Sequence, residues 1–168
     1  MTILVLNSGS SSFKFAVYRS ADPRSGRPCE PVELLRGQVH GLPDTPVMAW
    51  RADEGHRGEL SLPAPSDQRR ALQEVLGKLQ ADGLIDRVEA VGHRVVHGGE
   101  ALVAPHRVDE SSLALMESLV PLAPLHQSHC VAGIRAMAAI APEVPQVACF
   151  DTAFHATQPA LHPTMPLP

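Results

Sequence analysis

Residues Asn7 to Lys14 read NSGSSSFK and follow the apolar run Ile3 to Leu6. A tight loop rich in glycine and serine can turn several backbone N–H groups toward one point, and such a nest binds anions, above all phosphate. Ser10, Ser12 and Lys14 have the same parity. A second strand extended back through the loop puts two hydroxyls and one ammonium on one side, a set that suits phosphate oxygens. Asn7, at the end of the first strand, is placed to reach a phosphate or a metal-bound water. The spacing is not that of a P-loop, because G-x-x-x-x-G-K is absent. The same residues also describe a plain hairpin turn whose serines face water.

Three more stretches carry chemistry. In GHRVVHGG, Gly92 to Gly99, strand parity puts Arg94 and Val96 on one face and His93, Val95 and His97 on the other. A guanidinium grips a carboxylate in two places, and a valine beside it limits what is attached to that carboxylate. An arginine in a structural ion pair fits the same residue. His93 and His97 have the i, i+4 spacing of a helical zinc site, but they read as strand and no glutamate follows the first histidine, which argues against zinc. In PLAPLHQSH, Pro121 to His129, His126 follows a proline-stiffened apolar turn and precedes a helix. It lines a cleft or plays a structural part at the helix start. In CFDTAFH, Cys149 to His155, Asp151 stands at the C-terminal end of a strand, where α/β sheets build their sites. It can hold a magnesium-bound water, orient another polar group, or cap the following turn through the N–H of Thr152 or Ala153.

The elements that must hold these residues follow from periodicity. Ile3 to Leu6 is apolar on both faces, as in a central strand covered on two sides. Phe13, Phe15 and Val17 alternate with Lys14, Ala16 and Tyr18, which predicts a strand hairpinned to the first. Ser20 to Pro31 is turn-rich. Glu33 to His40 and Val47 to Arg51 read as strands, and Arg51 to Pro65 as an exposed loop or short hairpin. Ser66 is placed to cap a helix with Leu72, Val75, Leu76 and Leu79 on its inner stripe, ended by Asp82-Gly83. Val88 to Val96 reads as a strand. Asp109 caps a second helix with Leu113, Met116 and Val120. Ser128 caps a third, with Val131, Ile134 and Ala138 inward. Gln146 to Phe150 is a short buried strand. Strands first, then helices alternating with strands, predict an α/β domain with a mixed sheet.

The bulk numbers are compatible with that. The chain has 168 residues, enough for one domain with a real core. A net charge of −4 gives no basic footprint for nucleic acid, and no apolar run reaches the roughly 18 residues of a membrane helix. No signal peptide is legible at the N-terminus. Cys29, Cys130 and Cys149 lack the tight spacing of a disulfide scaffold, which suits a reducing cytoplasm. Pro163, Pro166 and Pro168 make the last residues read as a connecting loop.

Together the four stretches VLNSGSSSFK, VGHRVVHGGE, LAPLH and FDTAFH resemble the acetate kinase family, the acyl-phosphate-forming kinases that also include propionate and butyrate kinases. They occur in the family's order and span nearly the whole chain. The resemblance implies an actin-like fold of two ribonuclease-H-like lobes around a nucleotide cleft, with residues 1–168 as the N-terminal lobe and the C-terminal nucleotide-binding lobe outside them. It implies ATP and acetate as substrates, Mg²⁺ as cofactor, a cytoplasmic homodimer, and neither a nucleic acid nor a membrane as partner. By resemblance Asn7 helps bind magnesium, Lys14 contacts the nucleotide phosphates, and Ser10 and Ser12 line the same loop. Arg94 binds the substrate carboxylate between Val96 and Leu125, His126 lies in the cleft, and Asp151 is the catalytic aspartate. Family members are well over twice this length. They continue with a Phe-His-Gly-Thr segment, a Leu-Gly-Asn-Gly loop, a second catalytic arginine and a magnesium-binding glutamate, none of which occurs here. A sister acyl kinase, or a non-catalytic lobe that binds a ligand or partner chain, is the alternative.

Overall fold

The apolar run near the N-terminus becomes β1, Thr2–Ser8, and the sheet is built outward from it. The computed structural model describes residues 1–20, 30–52, 55–84 and 87–155, so most of the turn-rich Ser20–Pro31 segment, with Cys29, lies outside the described residues. On one side of β1 an antiparallel meander adds β2 (Phe13–Arg19), β3 (Val32–His40), β4 (Val47–Ala52) and β5 (Arg57–Ser61). On the other side β6 (Ala90–Val95) and β8 (Gln146–Phe150) run parallel to β1, and the two-residue β7 (His106–Arg107) closes the edge antiparallel to β8. Among the described residues this is one mixed sheet ordered β5-β4-β3-β2-β1-β6-β8-β7. The central order β3-β2-β1-β6-β8 is the ribonuclease-H-like arrangement that the resemblance implies.

Three helices cover one face: α1 (Gln68–Ala81), α2 (Glu110–Ser118) and α3 (Gln127–Ile140). They bury the residues that the strand alternation sends inward. Leu4, Leu6, Phe13, Phe15, Val17 and Val91 pack with Leu72, Val75 and Leu79 of α1. A second cluster joins Val95, Ala148 and Phe150 to Met116 of α2 and Cys130 and Ile134 of α3. The layer is tight where it meets the site: a Cβ on Gly133 of α3 would collide with Ser8 Oγ at the end of β1. The other face of the central strands carries none of these helices. Val5, in the middle of β1, is 37% exposed there, although parallel sheets are ordinarily covered on both faces.

Several boundaries differ from the sequence reading, each for a local reason. Ser66 does not cap α1. It is buried with its hydroxyl bonded to the Pro63 carbonyl, and Asp67 accepts from the Arg70 N–H at 2.7 Å instead. Ser128 does not cap α3 either. Its hydroxyl donates to the Pro124 carbonyl at 3.1 Å, and α3 starts behind His126 with no side-chain cap. Asp109 does cap α2, in a capping box with Ser112. Val120 falls beyond α2, in a 3-10 turn at Val120–Leu122. The charged segment after Arg51 contains β5, so it is a hairpin, and β7 had no counterpart in the sequence reading.

His93 is the one histidine among the buried polar residues described, on the core face of β6. Its Nε2 lies 2.7 Å from the side-chain amide of Gln146 on β8. With the NH₂ end toward the ring, that amide also donates to the Ile134 carbonyl at 3.2 Å and accepts from the Ala138 N–H at 3.3 Å, which leaves His93 Nε2 an acceptor. Burial pushes the His93 pKa down from 6.5 to about 4. A depressed histidine pKa means the unfolded chain binds more protons between those values. The stabilising contribution of neutral His93 is whole above about pH 6.5 and is lost as pH falls toward about 4. Urea unfolding of the chain is expected to lose up to about 1.4 kcal/mol per pH unit through that window, and a His93→Gln chain to lose less. Equal slopes for the two would contradict the assignment.

Candidate functional site

The C-terminal ends of β1, β6 and β8 lie side by side because the three strands are parallel. In register, Leu6 sits opposite His93, and Arg94 opposite Cys149. Since His93 and Val95 face the core, Arg94 stands on the open face, as strand parity predicts. Asp151, just past the end of β8, folds back over that face. The Arg94 Nε donates to Asp151 Oδ1 at 3.0 Å, and Nη2 donates to Oδ2 at 2.6 Å. Nη1 donates to Asn7 Oδ1 at 3.1 Å. Three of the residues read from separate stretches therefore meet at one guanidinium. The hydrogen bonds that Asp151 accepts, together with its charge, raise the Arg94 pKa further and keep it protonated.

Three of the five guanidinium N–H groups are used in this arrangement, and among the described residues two remain, one on each terminal nitrogen. That is the number a second carboxylate takes in a two-point grip. Asn7 and Asp151 also supply hard oxygens, the donor type magnesium prefers. Among the described residues no group of three His, Cys, Asp or Glu side chains stands together as a metal cluster.

Lys14 pairs with Asn7 across the β1–β2 ladder and is exposed on the same open face. The loop between them is a turn and not a continued strand, because the Gly9 N–H donates to the Ser12 carbonyl at 2.8 Å. The shared parity of Ser10, Ser12 and Lys14 therefore does not translate into one shared side. Ser10 borders a groove of about 580 Å³ with Pro43, Asp67, His129 and Arg135, whereas Lys14 borders the open face beside Arg36 and Gln38. Ser12 is half-buried. The loop is tied to the β3–β4 turn by the Leu42 N–H, which donates to the Ser11 carbonyl at 3.1 Å.

Val96 lies just past β6, half-buried against the second core cluster. Leu125 is 77% exposed, so among the described residues it is not packed as a pocket wall. His126 is exposed at the head of α3. Sequence reasoning missed the residue after it. Gln127 is fully buried and bonds both the N–H and the carbonyl of His97. Thr152, read only as a capping partner for Asp151, accepts from the Gly98 N–H at 3.0 Å. A lone polar residue on the buried side of an otherwise apolar helix was the signal for Gln127. Cys130, buried on α3, has its thiol pKa raised by desolvation, opposed by a backbone hydrogen bond from Val96.

Comparison with known proteins places this geometry. Residues 2–168 match the model of the acetokinase family. The chain is 44% identical over 162 residues to an acetate kinase of Streptomyces coelicolor and 41% identical over 157 residues to acetate kinase 2 of Vibrio cholerae, in each case across 94% of this chain. It spans only 38% of the length of those relatives. Its fold superimposes on a Porphyromonas gingivalis acetate kinase with a TM-score of 0.86 at 31% identity, covering 99% of this chain and 41% of that one. A propionate kinase from Francisella tularensis gives a TM-score of 0.82 at 32% identity, with 99% and 41% covered. The four motifs, the strand order and the family match agree, and the chain belongs to the acetokinase family.

Proposed function

We propose that residues 1–168 are the N-terminal lobe of an acetate kinase, which transfers the terminal phosphoryl group of ATP to acetate and gives acetyl phosphate and ADP, reversibly. The observation that carries this reading is the Arg94 guanidinium, held by Asp151 and Asn7 with two N–H groups to spare. Those two groups grip the acetate carboxylate. A carboxylate is already ionised at pH 7, so the nucleophile needs no base. One of its oxygens forms the new bond to phosphorus, and the bond from phosphorus to the departing ADP oxygen breaks. The work left to the protein is aim and charge neutralisation.

In this reading Asp151 is the catalytic aspartate and takes no proton. It orients Arg94 and, with Asn7, offers the oxygens that would hold magnesium, whose charge would neutralise the nucleotide phosphates. Lys14, exposed on the same open face as Arg94, binds those phosphates. Val96 crowds the methyl side of the substrate, with His126 and Leu125 at the rim, where a second lobe would cover them. The remainder of the adenosine site, further catalytic groups and most of a homodimer contact belong to that lobe, and the working enzyme is cytoplasmic.

Hydroxylamine trapping of acetyl phosphate, from ATP, Mg²⁺ and acetate, tests this directly. The 168-residue chain alone is expected to form none. Joined to the rest of the Streptomyces coelicolor relative and purified as a folded protein, it is expected to form acetyl phosphate. Activity of the chain alone would show that the second lobe is dispensable, and an inert, folded chimera would overturn the reading. Val96→Ala in that chimera is expected to improve propionate relative to acetate by about tenfold, since one methyl contact discriminates by about 1–3 kcal/mol. An unchanged ratio would remove Val96 from the pocket.

A further inference from the structure

Gln127 is a polar side chain with no solvent exposure, and among the described residues its side-chain hydrogen bonds all go to backbone. Its Oε1 accepts from the His97 N–H at 3.1 Å, and its Nε2 donates to the His97 carbonyl at 2.9 Å and to the Met116 carbonyl at 3.2 Å. An amide that pairs with both groups of one residue does what a neighbouring strand would do. β6 ends at Val95, and Gln127 continues its pairing one residue beyond Val96.

The same short segment is held from the other side. The Gly98 N–H donates to Thr152 Oγ1 at 3.0 Å. A Cβ on Gly98 would collide with the Leu102 carbonyl and crowd the Phe150 ring, so the backbone is packed close on both sides. Gly99, in a left-handed conformation with φ 64°, donates its N–H to His97 Nδ1 at 2.9 Å. Residues 97 and 98 are thus clamped between the first residue of α3 and the residue that follows Asp151. Val96 sits between that clamp and Arg94.

The partners of Gln127 are backbone groups that no substitution replaces, so an apolar side chain there leaves the His97 N–H and carbonyl unpaired. What a fully satisfied polar network adds is one fixed arrangement. We infer that Gln127, with Thr152, is a positioning residue for the acyl side of the substrate pocket: it fixes the backbone behind Val96 and so sets the room beside the carboxylate gripped by Arg94. This rests on the acetate kinase reading. It adds a specificity determinant that does not itself touch the substrate.

The test compares kcat/KM for propionate and acetate in the chimera described above. The ratio cancels the amount of folded enzyme, so a merely structural role leaves it unmoved. Gln127→Leu is expected to raise the propionate-to-acetate ratio by roughly tenfold, the low end of discrimination by one methylene. Thr152→Val, which keeps the shape and loses the acceptor, is expected to raise it by about threefold, while Thr152→Ser keeps it. In a Val96→Ala background Gln127→Leu adds little, because it acts through Val96. If Gln127→Leu fails to fold, Thr152→Val decides. An unchanged ratio in the folded variants overturns the inference alone. An inert unsubstituted chimera overturns the acetate kinase reading and this inference with it.

Discussion

Arg94 on β6 and Asp151, just past the end of the neighbouring parallel strand β8, meet above the sheet in a two-point hydrogen bond, with Asn7 of β1 on the third nitrogen. Both side chains are about half exposed, so the pair contributes little to stability. Its value is geometric. A guanidinium on a flexible stem is fixed in orientation by bonds to two neighbours. That arrangement requires β1, β6 and β8 to be parallel and in register. The register in turn depends on which face of each strand is apolar, because a slip of one residue would send Arg94 into the core and His93 out of it.

The helical layer serves the same end. α3 crosses the strand ends closely enough to need Gly133 against Ser8, and its first residue, Gln127, holds the chain leaving β6. The three segments that carry Arg94, His126 and Asp151 are therefore braced to one another through backbone. The opposite face of the sheet, with Val5, Lys14 and Arg94 on it, is open among the described residues. The chain spans 38% of its relatives' length and presents Arg94, Asp151 and Lys14 on that face.

Much of this was legible in the residues. The alternation at Phe13, Phe15 and Val17 predicts β2, the stripe from Leu72 to Leu79 predicts α1, and parity sets Arg94 on the face opposite His93 and Val95, whereas the cover on both faces read from Ile3 to Leu6 is not met, since Val5 is 37% exposed. The two opposed meanings of Arg94, ion pair or carboxylate grip, turn out to be compatible, since Asp151 takes one edge and leaves N–H groups free. That pairing spans 57 residues and no local pattern encodes it. Ser66 and Ser128 look like caps, yet carbonyls of Pro63 and Pro124 take their hydroxyls. Parity fails at Ser10 because a turn has no period of two. β7 is two residues long, held by pairing to β8 and not by any pattern of its own.

The central claim is that Arg94, while held by Asp151 and Asn7, keeps N–H groups for a second carboxylate. ¹⁵N NMR of the arginine side chains in this chain, titrated with acetate and with chloride at equal ionic strength, addresses it most directly. The account predicts that the Arg94 Nη resonances move and saturate with acetate and not with chloride, while the Nε–H bonded to Asp151 persists. Equal responses to the two anions, or loss of the Nε–H bond on addition of acetate, would contradict it.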